Sequence, residues 1–341
     1  MNYIVAEFEV LEADKDKDIQ ILNSYENYYR QYNLNLPDNS DILKNEEEIK
    51  EKCEIKIDNE IIPFDYFHKF NKPGKYSVQY IFKKNLINAN SLFSKCDNLI
   101  KIDFTNFIAD DLTSMNLIFY SCGKLTDVNL SNLNSKKLTN MNSMFYLCEI
   151  LSNINLSNFD TQNVTDMGKM FMGCNQLKHI NLSGFDTKNV TNLEEMFSDC
   201  NTLEEINLSN FDTEKVTNMS SMFGCCYSLN SLDLSNFNTK NVTNMSAMFN
   251  ACKELKNVKF GSQFDTKNVV NMSMMFFECR ALTEIDISNF DFSNVKEIDD
   301  MFCNCKSLPK KDISQFKNLN LDIDINKIFS DINPEDFDED Y

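Results

Sequence analysis

Along this chain the spacing of apolar residues changes period and then starts again. In "NLEEMFSDCNTLEEINLSNFDTEKVTNMSSMF" (Asn192 to Phe223), Met196, Phe197, Cys200 and Leu203 stand at i, i+1, i+4 and i+7, the spacing of one face of a short helix. Ile206 and Leu208 then alternate with Asn207, a period of two that suits a strand with one buried face. After the turn "SNFDT", Val216 and Met219 return apolar side chains to the interior. The pattern predicts a strand, a turn and a helix in each unit.

The unit recurs. Cysteines fall at Cys96, Cys122, Cys148, Cys174, Cys200, Cys226 and Cys252, each 26 residues after the last, and then at Cys279 and Cys305. The one step of 27 places its extra residue in "KFGSQFDT" (Lys259 to Thr266), where a turn absorbs it. A phenylalanine precedes each cysteine by three residues and a leucine follows each by three, so nine copies share one register. A single copy offers about nine apolar side chains at about 2 kcal/mol each. Ordering its backbone costs about 1–2 kcal/mol per residue. A lone copy would not fold, and stacking on neighbours must supply the missing burial.

The words "LEEINLSNFDTEKVTNMSSMF" resemble the repeat of BspA-like leucine-rich surface proteins, over about Ser91 to Phe316. The resemblance implies a leucine-rich-repeat-like fold and a role as an adhesin or interaction surface. The expected fold class is α/β: a right-handed solenoid of about nine 26-residue coils with a small β-rich N-terminal cap.

Residues 1–86 lack the repeat. Ile4, Ala6, Phe8 and Val10 alternate, as do Cys53, Ile55 and Ile57, and Tyr76, Val78, Tyr80 and Phe82, which predicts a β-rich domain covering the first coil or serving as a recognition module itself. The solenoid is expected over 87–316. Residues 317–341 lose the register, with Ile325, Ile328 and Phe329 forming a closing helix before an acidic tail.

Charge narrows the partners. With 33 Lys and Arg against 52 Asp and Glu, a net charge of −19 repels nucleic acid and anionic membranes, so a basic or neutral protein surface is the expected partner. No window approaches 18 consecutive apolar residues, and "MNYIVAEFEVLEADKDKD" lacks the features of a secretory signal. The expectation is therefore a cytoplasmic protein without membrane insertion, whereas the resemblance implies the cell surface.

Candidate chemistry falls into rows. Equivalent cysteines on packed helices would stand about 8–10 Å apart, too far for disulfides, which need about 7 Å or less. They read as buried thiols, with Cys53, Cys225 and Cys303, outside the row, as the reactive ones. A second row, Asp103, Asn129, Asn155, Asn181, Asn207, Asp233, Lys259, Asp286 and Asp312, faces away from the buried strand residues, where stacked amides can bond along the axis or meet a partner. A third, Asp160, Asp186, Asp212, Asn238, Asp265 and Asp291, sits in turns that such side chains stabilise. Calcium bridging between coils is the sharper alternative for it. "NVT" and "NLS" match the glycan acceptor pattern but read as repeat consensus. Histidines number two, His68 and His179, and no glycine-rich phosphate loop is present.

These observations point to a non-catalytic scaffold with no catalytic residue, cofactor or metal. Its exposed strand face would bind a protein partner, through the row above and the variable pairs before each strand, Thr126 and Asp127, Lys178 and His179, Glu204 and Glu205, Lys256 and Asn257. The rivals are a surface adhesin engaging host or matrix ligands and a rigid spacer in a larger assembly.

Overall fold

Strands and turns predominate among the described residues, where α-helix is confined to two short elements near the N-terminus. The computed structural model describes residues 2–37, 40–308 and 325–329. Asp312, most of the segment expected to close the array, and the acidic tail lie outside the described residues. The chain divides into two compact units, 1–189 and 190–341.

The first unit opens with β1 (Tyr3–Val10) and β2 (Asp18–Gln20), then α1 (Tyr25–Gln31) and α2 (Glu46–Lys52). Next come β3 (Cys53–Ile57), β4 (Glu60–Ile62), β5 (Phe67–Lys69) and β6 (Gly74–Phe82). The strict alternation of "YIVAEFEV" buries Ile4, Ala6, Phe8 and Val10 and turns the intervening residues outward. Ser24 caps α1 by accepting from the Asn27 amide at 3.1 Å.

The repeats of this unit follow, with strands β7 (Leu99–Asp103), β8 (Asp127–Asn129), β9 (Asn153–Asn155) and β10 (His179–Asn181). One sheet runs β4-β3-β6-β1-β7-β8. β1 pairs antiparallel with β6 and β7, and β7 pairs parallel with β8. Four of the non-repeating strands and the first two coils therefore share one sheet, while β2 and β5 form an antiparallel pair of their own. β9 and β10 form a separate parallel pair.

The N-terminal segment also meets the first coil elsewhere. Asn23 donates its amide to Leu92 O at 2.8 Å and its side chain to Ser94 O at 3.1 Å, and Asn45 donates to Asn90 O at 2.8 Å. The equivalent carbonyls one coil later, of Asn116, Ile118 and Tyr120, accept from the amides of Ser91, Phe93 and Lys95. Non-repeating residues thus take the place of a preceding coil at these three buried carbonyls.

The second unit holds β11 (Ser231–Leu234) and β12 (Asn257–Phe260), paired parallel in register, and a 3-10 turn over Ile325–Phe329. That turn meets the last coil through Phe302 N donating to Ile328 O at 2.9 Å and Phe329 stacked on Phe302.

The expected α/β class needs correction. The segment from Met196 to Leu203 is not helical, and neither are its equivalents. Two residues in each copy have a left-handed backbone, such as Glu195 (φ 53°) and Asp199 (φ 60°), which no α-helix accommodates. Alternate amides explain the outcome. Leu193, Glu195, Phe197 and Asp199 donate to Asn218, Ser220, Met222 and Gly224 of the next coil at 2.8–3.0 Å, whereas Met196, Ser198 and Cys200 donate three residues back. The segment is a run of tight turns bonded laterally like a parallel strand, and its 3–4-residue spacing imitates a helix.

The phenylalanines form the core. In the first unit Phe93, Phe119, Phe145 and Phe171 stack with centroids 5.3–6.0 Å apart. In the second, Phe197, Phe223, Phe249, Phe276 and Phe302 stack at 5.1–5.8 Å. Methionines and leucines of the repeat are buried around them.

Candidate interaction face

Most polar residues of the repeat are spent inside the array. In the turn row, Asp160, Asp186, Asp212, Asp265 and Asp291 each accept from the amide two residues on, at 2.9–3.1 Å, and Asn238 does so at 3.3 Å. These carboxylates hold their own turns. The next residue is a buried threonine at every position but Asp291, where Phe292 stands, and Thr213 reaches the next coil: its Oγ1 donates to Asn238 O at 2.9 Å and accepts from Asn238 N at 2.9 Å. Thr161 and Thr266 make the same double bond to Asp186 and Asp291.

The acceptor-like "NVT" words are consumed similarly. Asn163, Asn189 and Asn241 of these words each donate Nδ2 to a carbonyl in the preceding coil at 2.7 Å, and Asn268 and Asn294, which open "NVV" and "NVK" at the same repeat position, do so at 2.7 and 2.8 Å. The threonines do likewise, Thr243 to Thr217 O at 3.2 Å. A glycan on these amides would remove a bond between coils.

The cysteines are free thiols. In the repeat row, Cys122, Cys148, Cys174, Cys226, Cys252, Cys279 and Cys305 donate Sγ to the phenylalanine carbonyl of the coil before, as Cys122 to Phe93 at 3.0 Å and Cys226 to Phe197 at 3.1 Å. Burial pushes them well up from the ordinary thiol range. The thiols outside the row are not activated: burial raises Cys53 to about 12 and half-buried Cys225 to about 11, and Cys303 is fully buried. Burial also holds the His68 imidazole below its usual value. Among the described residues no three His, Cys, Asp or Glu side chains gather as a metal site.

The strand row behaves differently. Asp103, Asn129, Asn155 and Asn181 end β7 to β10, and Asp233 and Lys259 lie on β11 and β12. Asn207 and Asp286 occupy segments without regular secondary structure. Asp103 and Asn129 are half-buried and the others exposed, as are Lys178, His179, Glu204, Glu205 and Lys256. Bonding along the axis joins Asn129 Nδ2 to Asp103 Oδ1 at 3.1 Å and Lys259 Nζ to Asp233 Oδ2 at 2.9 Å. Otherwise the expected amide ladder gives way to local turns. Asn155, Asn181 and Asn207 accept from the amides of Ser157, Ser183 and Ser209 at 3.0–3.1 Å, which directs Oδ1 back to the chain. A hydrogen bond from the Ser235 hydroxyl, then Lys259, lowers the Asp233 carboxyl to about 2.

Each unit has a depression on this face. In the first, about 580 Å³ opens over β1, β7, β8 and β9 and brings together Asp103, Asn129 and Asn155 with Asp127, Lys101 and Glu7. In the second, about 430 Å³ is lined by Lys259, Asp286, Glu284 and the rings of Phe260 and Phe290. Lys178, His179 and Asn181 line neither, nor do Glu204, Glu205, Asn207, Asp233 and Lys256. Val5 and Glu7 were not foreseen as site residues, although the alternation of "YIVAEFEV" already turns them away from the core.

Among the described residues no helix is long and apolar enough to cross a membrane. No curated protein matches the chain. A family model described as "Mycoplasma protein of unknown function, DUF285" matches residues 87–205, 174–262 and 226–340. These overlapping spans take in the repeats and well over half of the 341 residues, and the chain belongs to that family.

Proposed function

We propose that this protein is a non-catalytic repeat scaffold that binds another protein through the exposed strand face of its coils, which are built as in a leucine-rich-repeat-like solenoid. The observation that carries this reading is the division of labour within a coil. Asn, Asp, Thr and Cys of the consensus are engaged by their own or neighbouring coils, while the residues before and along each strand vary and face outward. Some of them, Thr126, Asp127 and Asn153 in the first unit and Asn257 and Glu284 in the second, line the two depressions. A surface that varies on a frame that does not is how repeat proteins adapt to partners. The BspA-like wording of the repeat supports the same reading and extends it to adhesion at a cell surface.

Crosslinking in native cells, with mass-spectrometric mapping, tests the proposal. Crosslinks to a recurrent protein partner should fall on the strand face, around Asp127, Lys178 and Lys256, and Asn153→Arg should abolish those near the first depression. Crosslinks confined to the turn side, or a partner indifferent to every strand-face substitution, would instead support a rigid spacer.

A further inference from the structure

We infer that the depression of the first unit receives arginine side chains from a basic protein segment, and that Glu7, outside the repeats, is one of its binding residues. The inference rests on the strand-face reading and adds to it the partner's chemistry and a role for the N-terminal strand.

Three carboxylates, Glu7, Asp103 and Asp127, line the depression against one ammonium, Lys101. Lys101 lies 4.0 Å from Asp127 with both side chains more than half exposed, a contact that neutralises little. Glu7, its side chain 37% exposed, stands 3.4 Å from Lys75, which is 58% exposed. Asp103 is held in place: its Oδ1 accepts from Thr105 N at 2.8 Å, Thr105 Oγ1 at 2.6 Å and Asn129 Nδ2 at 3.1 Å. Its Oδ2 takes part in none of these bonds. A carboxylate fixed by one oxygen and open at the other loses little freedom on meeting a donor.

The remaining lining selects among cations. Asn153 and Asn155 supply amides beside the carboxylates, and Val5 and Val128 supply half-buried apolar surface. A guanidinium has five donors in a planar fork, is weakly hydrated and carries an aliphatic stem, so it uses acceptors and apolar wall together. A lysine ammonium is a strongly hydrated point charge and gains less. About 580 Å³ is the size of a small-ligand site, with room for more than one side chain. β1 contributes because it pairs with β7, Val5 opposite Asp103 and Glu7 opposite Lys101. The non-repeating strand is continuous with the reading face.

Fluorescence anisotropy of labelled octa-arginine with the full chain tests this, alongside octa-lysine and an octamer of citrulline, which keeps the shape without the charge. Octa-arginine should bind at least tenfold more tightly than either. The double variant Glu7→Gln, Asp127→Asn should weaken it at least tenfold, and Glu51→Gln with Glu214→Gln, which removes equal charge elsewhere, less than twofold. Equal losses in both doubles would reduce the effect to net charge and overturn the inference, as would octa-lysine matching octa-arginine. Crosslinking the native partner separates the two readings. Loss with Asn153→Arg but retention with Glu7→Gln, Asp127→Asn overturns the arginine site and leaves the face standing; retention with both removes the face as well.

Discussion

Each coil has a turn side and a strand side, and the two are built to different standards. On the turn side, parallel bridges join Asn88, Ser114, Asn140 and Asp166 in the first unit and Asn192, Asn218, Asn244, Asn271 and Glu297 in the second. On the strand side, β7 pairs with β8, β9 with β10 and β11 with β12, while residues 203–208 and 282–287 form no strand. Regularity lies where the consensus is strict, and irregularity where the sequence varies. A coil held by its turns leaves its strand free to change, the arrangement a variable binding surface needs.

The largest effect should come from the phenylalanine column. Phe223 is fully buried between Phe197 and Phe249, with centroids 5.7 and 5.8 Å away. Phe223→Ala removes a ring from close-packed neighbours and should cost about 3–5 kcal/mol in urea denaturation. A loss below about 1 kcal/mol would mean that the turn side is not what holds the coil.

Next comes the buried threonine. Thr213→Val keeps volume but deprives Asn238 of both a donor and an acceptor in the adjoining coil. Leaving those backbone groups unpaired should cost about 1–3 kcal/mol. Thr213→Ser, which keeps the hydroxyl, should recover most of it.

The two sides should also differ in how they respond to pH. Burial raises the Cys226 thiol, so the folded chain holds its proton at pH values where the unfolded chain has lost it. The stability contributed is complete below the unfolded value near 9 and declines as pH rises toward the folded one, by at most about 1.4 kcal/mol per pH unit for each such thiol. Cys226→Ala should make the fall between pH 9 and 10.5 shallower by up to that slope. On the strand side, Asp233 is lowered to about 2, so its contribution is present above the usual carboxyl range and lost as pH falls through 2. Because it is nearly fully exposed, solvent screens that contribution. Alkali should therefore unfold the coils through their turn side.

How much of this the sequence discloses also divides along the two sides. The 26-residue register, the buried column and the turns held by Asp160 and its equivalents are visible in the spacing of Phe, Cys and Asp, because identical residues at a fixed step must find identical surroundings. The helix was misread for a physical reason. Left-handed positions are normally marked by Gly or Asn, but in this row, Gly173 and Asn304 apart, they are Lys95, Ser121, Leu147, Asp199, Cys225, Ala251 and Glu278. What tolerates them is the neighbouring coil: Asp199 and Cys225 donate to Gly224 and Asn250 at 2.8 and 2.7 Å, which offsets about 1 kcal/mol or more of local strain. No window of one coil contains that information. The first depression was half legible, since Asp103, Asn129 and Asn155 follow from the repeat, whereas Glu7 joins them only through the pairing of β1 with β7.

The smallest effect is the most telling for function. Ser231 on β11 and Asn257 on β12 stand opposite each other and exposed, and their side chains make none of the bonds that link turns. Ser231→Ala and Asn257→Ala should each change stability by less than about 0.5 kcal/mol, as exposed positions without a fixed partner do. A strand side that costs so little to alter can be rewritten at will by selection for a partner. If instead these substitutions destabilise the second unit as much as Thr213→Val, the strand face is part of the frame, and its variation from coil to coil would have to be read as packing and not as recognition.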